Sequence, residues 1–360
     1  MPSTRLAHLN TSGTLPVRAS AWLLAAMLAG CVTAAPMSET PQTAAQPAAK
    51  PATPQPALGD VIPFKFEPQV QTPWGLRVQR HRTLPSQPGS PEPMHFDSEE
   101  NSRLWATRDA SGDWTLEEVL TSHAETKNGD PDEDPLLVAL TGVPVGMRIT
   151  PEGRWRGAVD PEKTVTAIAR RLPREDMEFA SHPDLFTKDL ERDWRLGAEV
   201  YFTRPIHVNE PVYSLLQVSL PQLPGKYVVV AERFTAPVAK GDNTSQVSST
   251  QELFGRADPR WNAARTELEP LMKSLDMSDD DVLVDFSGTG GETVGVQSLQ
   301  VFASSYQGSG IFPLVTPRAV LPLRFEIEEV AGAISAPPLP VDSKQTANLP
   351  SQRLPLALGR

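Results

Sequence analysis

The sequence contains one cysteine, Cys31, among 360 residues, so no disulfide bond can form within the chain. Its N-terminal apolar run, residues 19–29, is shorter than the about 20 residues that a helix needs to cross a bilayer. The net charge of −11 is opposite to the basic surface that a phosphate backbone requires. We therefore expect no intramolecular disulfide, no membrane-spanning helix at that run and no nucleic-acid partner.

Common catalytic and metal-binding patterns are also missing, since the sequence has neither H-E-x-x-H nor G-x-S-x-G. Asp130, Asp132 and Asp134 alternate as the first calcium ligands of an EF-hand do, which makes them a weak metal candidate. The glycine and the terminal glutamate of that motif are absent, so we favour a surface loop and predict no cofactor. A serine, a histidine and an aspartate can still meet in space, so a hydrolase remains the least favoured function.

The first 30 residues have the pattern of a secretory signal peptide, with Arg5 and Arg18, no acidic residue and then a short apolar run. Leu28-Ala29-Gly30-Cys31 at its end resembles the lipobox of bacterial lipoproteins. The resemblance implies cleavage between Gly30 and Cys31 and a covalent diacylglycerol on the Cys31 thiol, often with an amide-linked palmitate. Val32, in place of an aspartate, implies sorting to the outer membrane of a Gram-negative bacterium. The periplasmic and the surface-exposed orientation both stay open.

The rest of the chain divides by composition. Residues 31–60 and 333–360 are rich in proline and poor in bulky residues, which predicts a disordered tether and a disordered tail. Between them we predict two β-rich halves, residues 61–172 and 173–332, each containing one amphipathic helix. Two Asp-Pro helix starts suggest that the halves are related, although this is a weak sign of a repeat.

Period-two alternation is the main signal in the folded part. In LPLRFEIEEV the apolar Leu323, Phe325 and Ile327 share one face, and Pro322 favours an edge or a bulge. Hairpins are predicted around residues 110–112, 151–153, 223–225 and 308–310, where glycine-containing turns separate strand-like runs. A flexible turn is favoured for the glycines of VLVDFSGTGGETVG. We therefore predict an α+β fold dominated by antiparallel, meander-like sheet.

Two amphipathic helices are predicted, each beginning at an Asp-Pro pair. The first starts at Asp160 and carries an apolar stripe from Val165 to Leu172. The second starts at Asp258 and carries a stripe from Trp261 to Leu275. Each stripe is expected to cover a sheet.

The segments ITPEGRWRG and DWRLGAEV resemble uncharacterised β-rich domains of bacterial lipoproteins, in which a Trp-x-x-Gly pattern opens a strand. The resemblance is loose and implies no activity.

The function predicted first is that of a lipid-anchored envelope protein with a non-enzymatic interaction or scaffolding role. The alternative is a periplasmic carrier of a hydrophobic ligand, because an apolar groove in a curved sheet is a common ligand site. That groove would be lined by tryptophans of the folded region, namely Trp74, Trp105, Trp114, Trp155 and Trp194. Core packing explains these residues as well. The predicted partners are the membrane, through the lipid anchor, and either an envelope protein or a hydrophobic ligand.

Overall fold

A computed structural model describes residues 60–70, 72–84, 92–132, 134–172, 182–218, 220, 225–240, 244–298, 300–315 and 320–339. The predicted signal peptide and lipobox lie outside these residues, as do the tether up to residue 59 and the tail beyond residue 339. The first two residues of the predicted tail, 333 and 334, are in fact the end of the last β-strand, where they pair with Leu76 and Gly75. Strand is the dominant structure and helices are few, which confirms the predicted β-dominated α+β class. None of the helices in the described ranges is long and apolar enough to cross a membrane.

The strands in chain order are β1 (Val61–Ile62), β2 (Trp74–Leu84), β3 (Met94–Arg108), β4 (Trp114–Lys127), β5 (Asp130–Pro131), β6 (Pro144–Ile149), β7 (Trp155–Val159), β8 (Ile206–His207), β9 (Pro211–Gln217), β10 (Tyr227–Phe234), β11 (Val238–Lys240), β12 (Thr244–Phe254), β13 (Asp285–Gly295), β14 (Val301–Val315) and β15 (Val320–Ile334). The helices are α1 (Pro135–Leu140), α2 (Pro161–Ala169), α3 (Pro183–Gly197), α4 (Val200–Thr203) and α5 (Trp261–Ser274), followed by a 3₁₀ turn at Asp279–Asp281.

Strands from both predicted halves form one antiparallel sheet, with the order β7-β6-β4-β3-β2-β15-β14-β13-β12-β10-β9. The chain meanders from β2 in the centre to the β7 edge, crosses through α2, α3 and α4, and meanders back from the β9 edge to β15. The first and last long strands, β2 and β15, are therefore neighbours and pair from Gly75↔Ile334 to Thr83↔Glu326. The short strands β1 and β8 form a separate pair.

The sheet is strongly curled, because α3 contacts both of its edge strands, β7 and β9. A flat sheet with strands about 4.8 Å apart would place those edges about 48 Å from each other. A helix as long as α3, with 15 residues, spans only about 22 Å. Phe186 and Trp194 of α3 lie in the same apolar core as Leu116 of β4 and Met147 of β6. The face that carries Leu116 and Met147, called the inner face below, is therefore the concave one.

Helices cover both faces of the sheet. On the inner face, α1, α2 and α3 pack against β4 and β6 in one core, while α4 and the segment around Ile62 pack against β9, β10 and β13. On the outer face, α5 packs through Trp261, Ala264 and Leu268 against alternate residues of β9 and β10 such as Tyr213 and Val229. The strands between the two edges, from β10 to β4, carry the residues of the candidate site described below.

Three of the four predicted hairpins are confirmed: β3–β4, β6–β7 and β9–β10 are antiparallel pairs. Gly112 and Gly153 have φ values of 93° and 77° at the first two turns, a conformation that favours glycine. The LPG turn of the third falls mostly outside the described residues. In β15, Phe325 and Ile327 are buried on one face as the alternation predicts. Pro322 lies beyond the end of the β2 pairing and is bonded to β14 alone.

The hairpin predicted around residues 308–310 is wrong, because these residues continue straight through β14. The turn predicted in VLVDFSGTGGETVG is also wrong, because its glycines lie in β13. The physical reason is close approach of neighbouring atoms. A Cβ at Gly308 would lie 2.4 Å from Phe286 Cζ, and a Cβ at Gly288 would lie 2.5 Å from the Gln307 carbonyl oxygen of β14, so glycine is needed within these strands.

Both predicted amphipathic helices are confirmed as α2 and α5, with Val165 and Ile168 buried in the first and Trp261 and Leu268 in the second. Asp160 precedes α2 with a left-handed φ of 44° and does not cap it through its side chain.

The strand predicted to open at DWRLGAEV is wrong, because Trp194–Gly197 form the last turn of α3. Phe186, Leu190 and Trp194 are spaced four apart and form the buried stripe of this helix. Trp194 Nε1 also donates to the Gly153 carbonyl at 2.9 Å, so α3 is joined to the β6–β7 turn.

Candidate functional site on the inner face of the sheet

A row of inward-facing, mostly polar residues crosses the middle of the sheet in register, from β10 to β4. Each member is paired directly with the next: Glu232, Gln251, Gly290, Tyr306, Glu329, Arg80, Ser98 and Glu125. Further polar residues flank this row on the same face, and together with it they form what we call the inner polar belt: Arg82, Glu100, Ser102, Glu118, His123, Ser249 and Glu292.

A β-bulge brings part of the belt to the inner face. The β3–β4 register shifts between Asn101 and Ser102, where Thr121 is the extra residue of β4. Before the bulge, inward positions of β4 have even numbers, such as Leu116 and Glu118. After it, the odd-numbered Glu125 is buried. The bulge therefore re-aims the end of β4, as bulges commonly do beside functional sites.

Arg80 and Arg82 are the basic residues of the belt, and both are buried and paired with carboxylates. Arg80 donates through Nη1 to Glu100 and through Nε to Glu329. Arg82 Nη2 donates to Glu125 Oε1 at 2.9 Å. Side-chain exposures of 7% for Arg80 and 6% for Arg82 place both ion pairs away from bulk water. Since the charges are desolvated, their pairing is required for the fold to tolerate them.

His123 joins these two ion pairs. Its Nδ1 lies 3.7 Å from Glu100 Oε1 and its Nε2 lies 3.7 Å from Glu125 Oε2, with only 3% of the side chain exposed.

On β3 and β4, the carboxyl groups of Glu100 and Glu118 hold their protons more strongly than usual. Burial raises the pKa of Glu100 to about 7, although the neighbouring Arg80 opposes the change. Burial raises the pKa of Glu118 to about 8, with a smaller lowering by the Ser102 hydroxyl and a further rise from the charge of Glu100. At neutral pH, Glu118 is therefore mainly a neutral carboxylic acid, which can donate a hydrogen bond.

At the other end of the belt, Glu232 and Glu292 form a carboxyl pair. Glu232 accepts hydrogen bonds from Tyr201 Oη at 2.6 Å, Ser249 Oγ at 2.5 Å and Gln251 Nε2 at 3.0 Å. Burial and then the adjacent charge of Glu232 raise the pKa of Glu292 well above its usual range. Glu292 therefore holds its proton more strongly than an exposed glutamate does.

Apolar clusters lie on both sides of the belt along the strands. Towards one end of the sheet a large cluster contains aromatic side chains of the central strands, among them Phe96, Phe286 and Phe325. Towards the other end a smaller cluster contains Leu76, Val78, Leu104 and Ala331. The inner face thus presents polar groups between two apolar surfaces.

The predicted tryptophan groove is replaced by core packing for most of its members. Trp114 and Trp194 are buried in the core beneath α1, α2 and α3, and Trp74 and Trp155 pack against it. Trp105 lies on the opposite, outer face, where its Nε1 donates to Glu117 Oε2 at 2.7 Å. The structure therefore brings four of the five together, as packing partners of helices.

The weak metal candidate is spread along a loop. Asp134 Oδ1 accepts from the Leu136 amide at 2.9 Å and caps α1, whereas Asp130 lies in β5 and is exposed. Asp132 bonds through its amide to the Glu125 carbonyl at 2.9 Å. Within the described ranges, no three His, Cys, Asp or Glu side chains are arranged to hold a metal ion.

The outer face carries an open depression of about 510 Å³, lined by residues that include His81, Gln307 and Glu326. Beside it, His81 Nδ1 lies 2.5 Å from Asp97 Oδ1, and His81 Nε2 lies 3.5 Å from Thr83 Oγ1. The order hydroxyl, histidine, carboxylate is that of a nucleophilic triad. About half of each ionisable side chain is exposed, 49% for His81 and 56% for Asp97, so water screens the pair. A hydroxyl at 3.5 Å on an open surface lacks the oriented base that activation needs.

The inner polar belt is not predicted from the sequence. Its residues alternate with other polar residues, as in RVQRHRT of β2, so that both faces of the strand look solvent-exposed.

Comparison with known proteins assigns no family. The sequence matches no protein-family model and no curated protein. A solved structure showing lipid–protein interactions in lipovitellin has 11% identity and a TM-score of 0.37, covering 76% of this chain and 26% of its own. The chain thus spans about a quarter of that protein's length. DynF, from the dynemicin biosynthesis pathway of Micromonospora chersina, has 9% identity and a TM-score of 0.15, covering 80% of this chain and 92% of its own.

Proposed function

We propose that this protein is a membrane-tethered carrier that holds an amphiphilic, lipid-like ligand against the concave inner face of its sheet. The observation that carries the proposal is the inner polar belt, which lies between two apolar clusters on that face. Ligand sites are typically apolar surfaces with a few convergent polar groups. A lipid presents the complementary arrangement, with apolar chains next to a polar head group.

The buried ion pairs of the belt do little to stabilise the fold. A buried ion pair is often no more stabilising than apolar residues of the same volume, and it strongly destabilises the fold when one partner is lost. Burying Arg80, Arg82 and their carboxylate partners costs desolvation free energy that apolar side chains at the same positions would not cost. A core selected for stability alone would not require them, whereas a site that binds a polar group does.

Apart from α3, which has 15 residues, the helices that cover the inner face are short, and this supports entry of a ligand beneath them. The helices α1, α2 and α4 have 6, 9 and 4 residues. Isolated helices shorter than about 12 residues are marginal in water, so these are held by packing against the sheet. A ligand that supplies equivalent apolar contacts would replace that packing at low cost.

The tether completes the proposal. A lipid on Cys31 would anchor the chain in the membrane, and the 26 residues from 33 to 58 in an extended conformation would let the carrier reach up to about 80 Å from it. Changing Cys31→Ser should move the full-length protein from the membrane fraction to the soluble fraction. Mass spectrometry of the N-terminal peptide should find the acyl chains on Cys31 in the wild-type chain. A bare Cys31 in membrane-bound protein would contradict the anchor.

The carrier is tested by extracting the purified full-length protein with organic solvent and identifying the released molecules by mass spectrometry. A covalent lipid stays on the chain, so only a bound ligand is released. We expect a lipid-like compound in a reproducible ratio near one per chain. An extract without such a compound would contradict the carrier and favour the interaction module, whose partners would then be sought with the lipidated protein as bait.

Two matched variants of β15 locate the ligand. Ala331→Phe fills the small apolar cluster on the inner face, where Ala331 is 4% exposed. Val330→Phe adds a similar ring on the outer face, where Val330 is 44% exposed. We expect folded Ala331→Phe to lose most of the extracted ligand and Val330→Phe to retain it. Equal amounts of ligand in both variants would place it elsewhere.

A further inference from the structure

Three buried oxygen atoms of the inner polar belt are not used by the protein itself. Ser98, Ser102 and Glu118 are 7%, 2% and 4% exposed, and all three lie on the inner face of β3 and β4. Ser98 Oγ, Ser102 Oγ and Glu118 Oε1 have no hydrogen-bond partner among the described residues. The Ser102 hydroxyl is a neighbour of the Glu118 carboxyl, whose pKa it lowers slightly against the larger effect of burial. Buried polar atoms are nearly always satisfied, so these atoms indicate a bound polar group.

The charge around these atoms is already balanced. Arg80 is engaged by Glu100 and Glu329, and Arg82 is engaged by Glu125. An anionic head group would therefore have to displace a carboxylate from a buried arginine. The three oxygen atoms instead offer two hydroxyl groups and a carboxyl group.

Glu118 is the one member of this trio whose charge varies with pH. Burial raises the pKa of Glu118 to about 8, so its carboxyl is neutral at lower pH. Glu100 is the charged neighbour that acts on Glu118, and Arg80, Glu329 and His123 in turn surround Glu100. A neutral head group is compatible with the protonated Glu118, whereas a cationic head group would favour its ionised form.

The apolar surface next to the trio suits a hydrocarbon chain. Ser102 of β3 is the register partner of Leu76 on β2, and Glu118 of β4 is the register partner of Leu104 on β3. Leu76 and Leu104 belong to the small apolar cluster, which also contains Ala331. A molecule with its polar group at Ser102 would therefore place its chain along this cluster.

We propose that the carried amphiphile has an uncharged head group with hydroxyl or ester oxygens, as an acylglycerol has, and that Ser98, Ser102 and Glu118 bind that head group. This inference rests on the proposed carrier function and names the class of ligand. The hydroxyl groups donate to the ester or hydroxyl oxygens of the ligand, and the Glu118 carboxyl donates its proton in a further hydrogen bond.

The test uses three probes with the same oleoyl chain: 1-oleoylglycerol, oleate and oleylamine. Each probe displaces a fluorescent fatty-acyl reporter from the delipidated full-length protein at pH 6.5. We expect 1-oleoylglycerol to compete at least tenfold better than either charged probe. Ser98→Ala with Ser102→Ala should weaken its binding about tenfold, because each lost hydroxyl removes one hydrogen bond. Ser122→Ala, on the exposed outer side of β4, is the matched control and should bind as the wild type does.

A pH titration separates the neutral head group from a cationic one. Binding of 1-oleoylglycerol should weaken as the pH rises through about 8, and Glu118→Gln should remove this dependence because glutamine cannot ionise. Oleylamine binding that exceeds 1-oleoylglycerol binding and strengthens with pH would overturn the inference in favour of an ammonium head group.

The remaining outcomes are distinct. Equal binding of all three probes, unaffected by the serine substitutions, would leave the carrier standing and overturn the head-group assignment, since ordered water then satisfies the three atoms. No displacement by any probe would count against the carrier itself.

Discussion

Arg80 of β2 and Glu329 of β15 are 249 positions apart in the sequence and form a buried ion pair across the central seam of the sheet. The seam joins the first long strand of the chain to the last. Because the same guanidinium also donates to Glu100 of β3, a single side chain holds three strands at this level.

The seam ion pair should matter for stability. Changing Glu329→Ala leaves one side of a buried guanidinium without its carboxylate, which should lower the free energy of unfolding by about 3 kcal/mol. Urea denaturation measures the change. The matched control is Glu99→Ala, which removes an exposed partner of Arg77 at 3.6 Å and should cost less than about 1 kcal/mol. Equal costs for the two substitutions would show that the seam pair contributes nothing special.

Stability should also fall as the pH rises from about 5 to about 8. The pKa values of Glu100 and Glu118 are about 7 and about 8 in the folded protein, and an unfolded glutamate titrates near about 4.3. Between these values the folded state holds protons that the unfolded state has released, so raising the pH favours unfolding.

Glu118→Gln replaces one of these titrating carboxyl groups with an amide, which contributes no pH dependence to the free energy of unfolding. Between pH 5 and pH 8 the variant should therefore lose about 3–4 kcal/mol less stability than the wild type does. Thermal or urea unfolding at both pH values measures the difference. A wild type whose stability is flat over this range would be incompatible with a buried, protonated Glu118.

Two turn glycines should differ in their tolerance of alanine. Both have positive φ, so Gly112→Ala should cost about 1 kcal/mol from backbone strain alone. At Gly153 a Cβ would also lie 2.2 Å from Phe202 Cδ2, whereas at Gly112 the nearest atom is 3.6 Å away. We expect Gly153→Ala to cost at least about 2 kcal/mol more, with release of α4. Similar unfolding midpoints for the two variants would argue against the close approach of Phe202.

Substitution of a tryptophan by alanine should destabilise the protein more on the inner face than on the outer face. Trp194 is 1% exposed and joins α3 to the β6–β7 turn, so Trp194→Ala should cost about 3–5 kcal/mol. Trp105 lies half-buried on the outer face, and Trp105→Ala should cost about 1 kcal/mol. Denaturant unfolding of both variants provides the measurement. A Trp194→Ala variant as stable as the wild type would contradict the core-packing role of Trp194 and favour a role in ligand binding.

Local patterns predicted much of the secondary structure. The alternation around Phe325, the turns at Gly112 and Gly153 and the stripes of α2 and α5 all depend on short stretches of chain, and each is observed. The errors arose where distant contacts override a local preference. Gly308 looks like a turn residue, yet it lies within a strand because Phe286 from the neighbouring strand occupies the space of a side chain.

The inner polar belt could not be predicted for a related reason. Polar residues on one face of a strand normally face water, and the sequence of β2 does not show that Arg80 and Arg82 meet buried carboxylates from other strands. The side of the sheet that Glu125 faces depends on the bulge at Thr121, which no local pattern marks. Position in the belt is thus a property of strand register, which becomes visible only once the partners are known.

The pairing of β2 with β15 has a consequence for how the molecule assembles. The ribosome makes β2 early and its partner β15 late, so the early strand must wait with an unpaired edge until nearly the whole chain has been made. Pairing between such distant segments is slow, since a long loop must close before any contact is gained. The inner polar belt crosses this seam, and Arg80 of β2 can form its ion pair with Glu329 only at the end of folding. A chain stopped before residue 320 would therefore expose both an open strand edge and uncompensated arginines, and should be recognised by proteases and chaperones as unfinished.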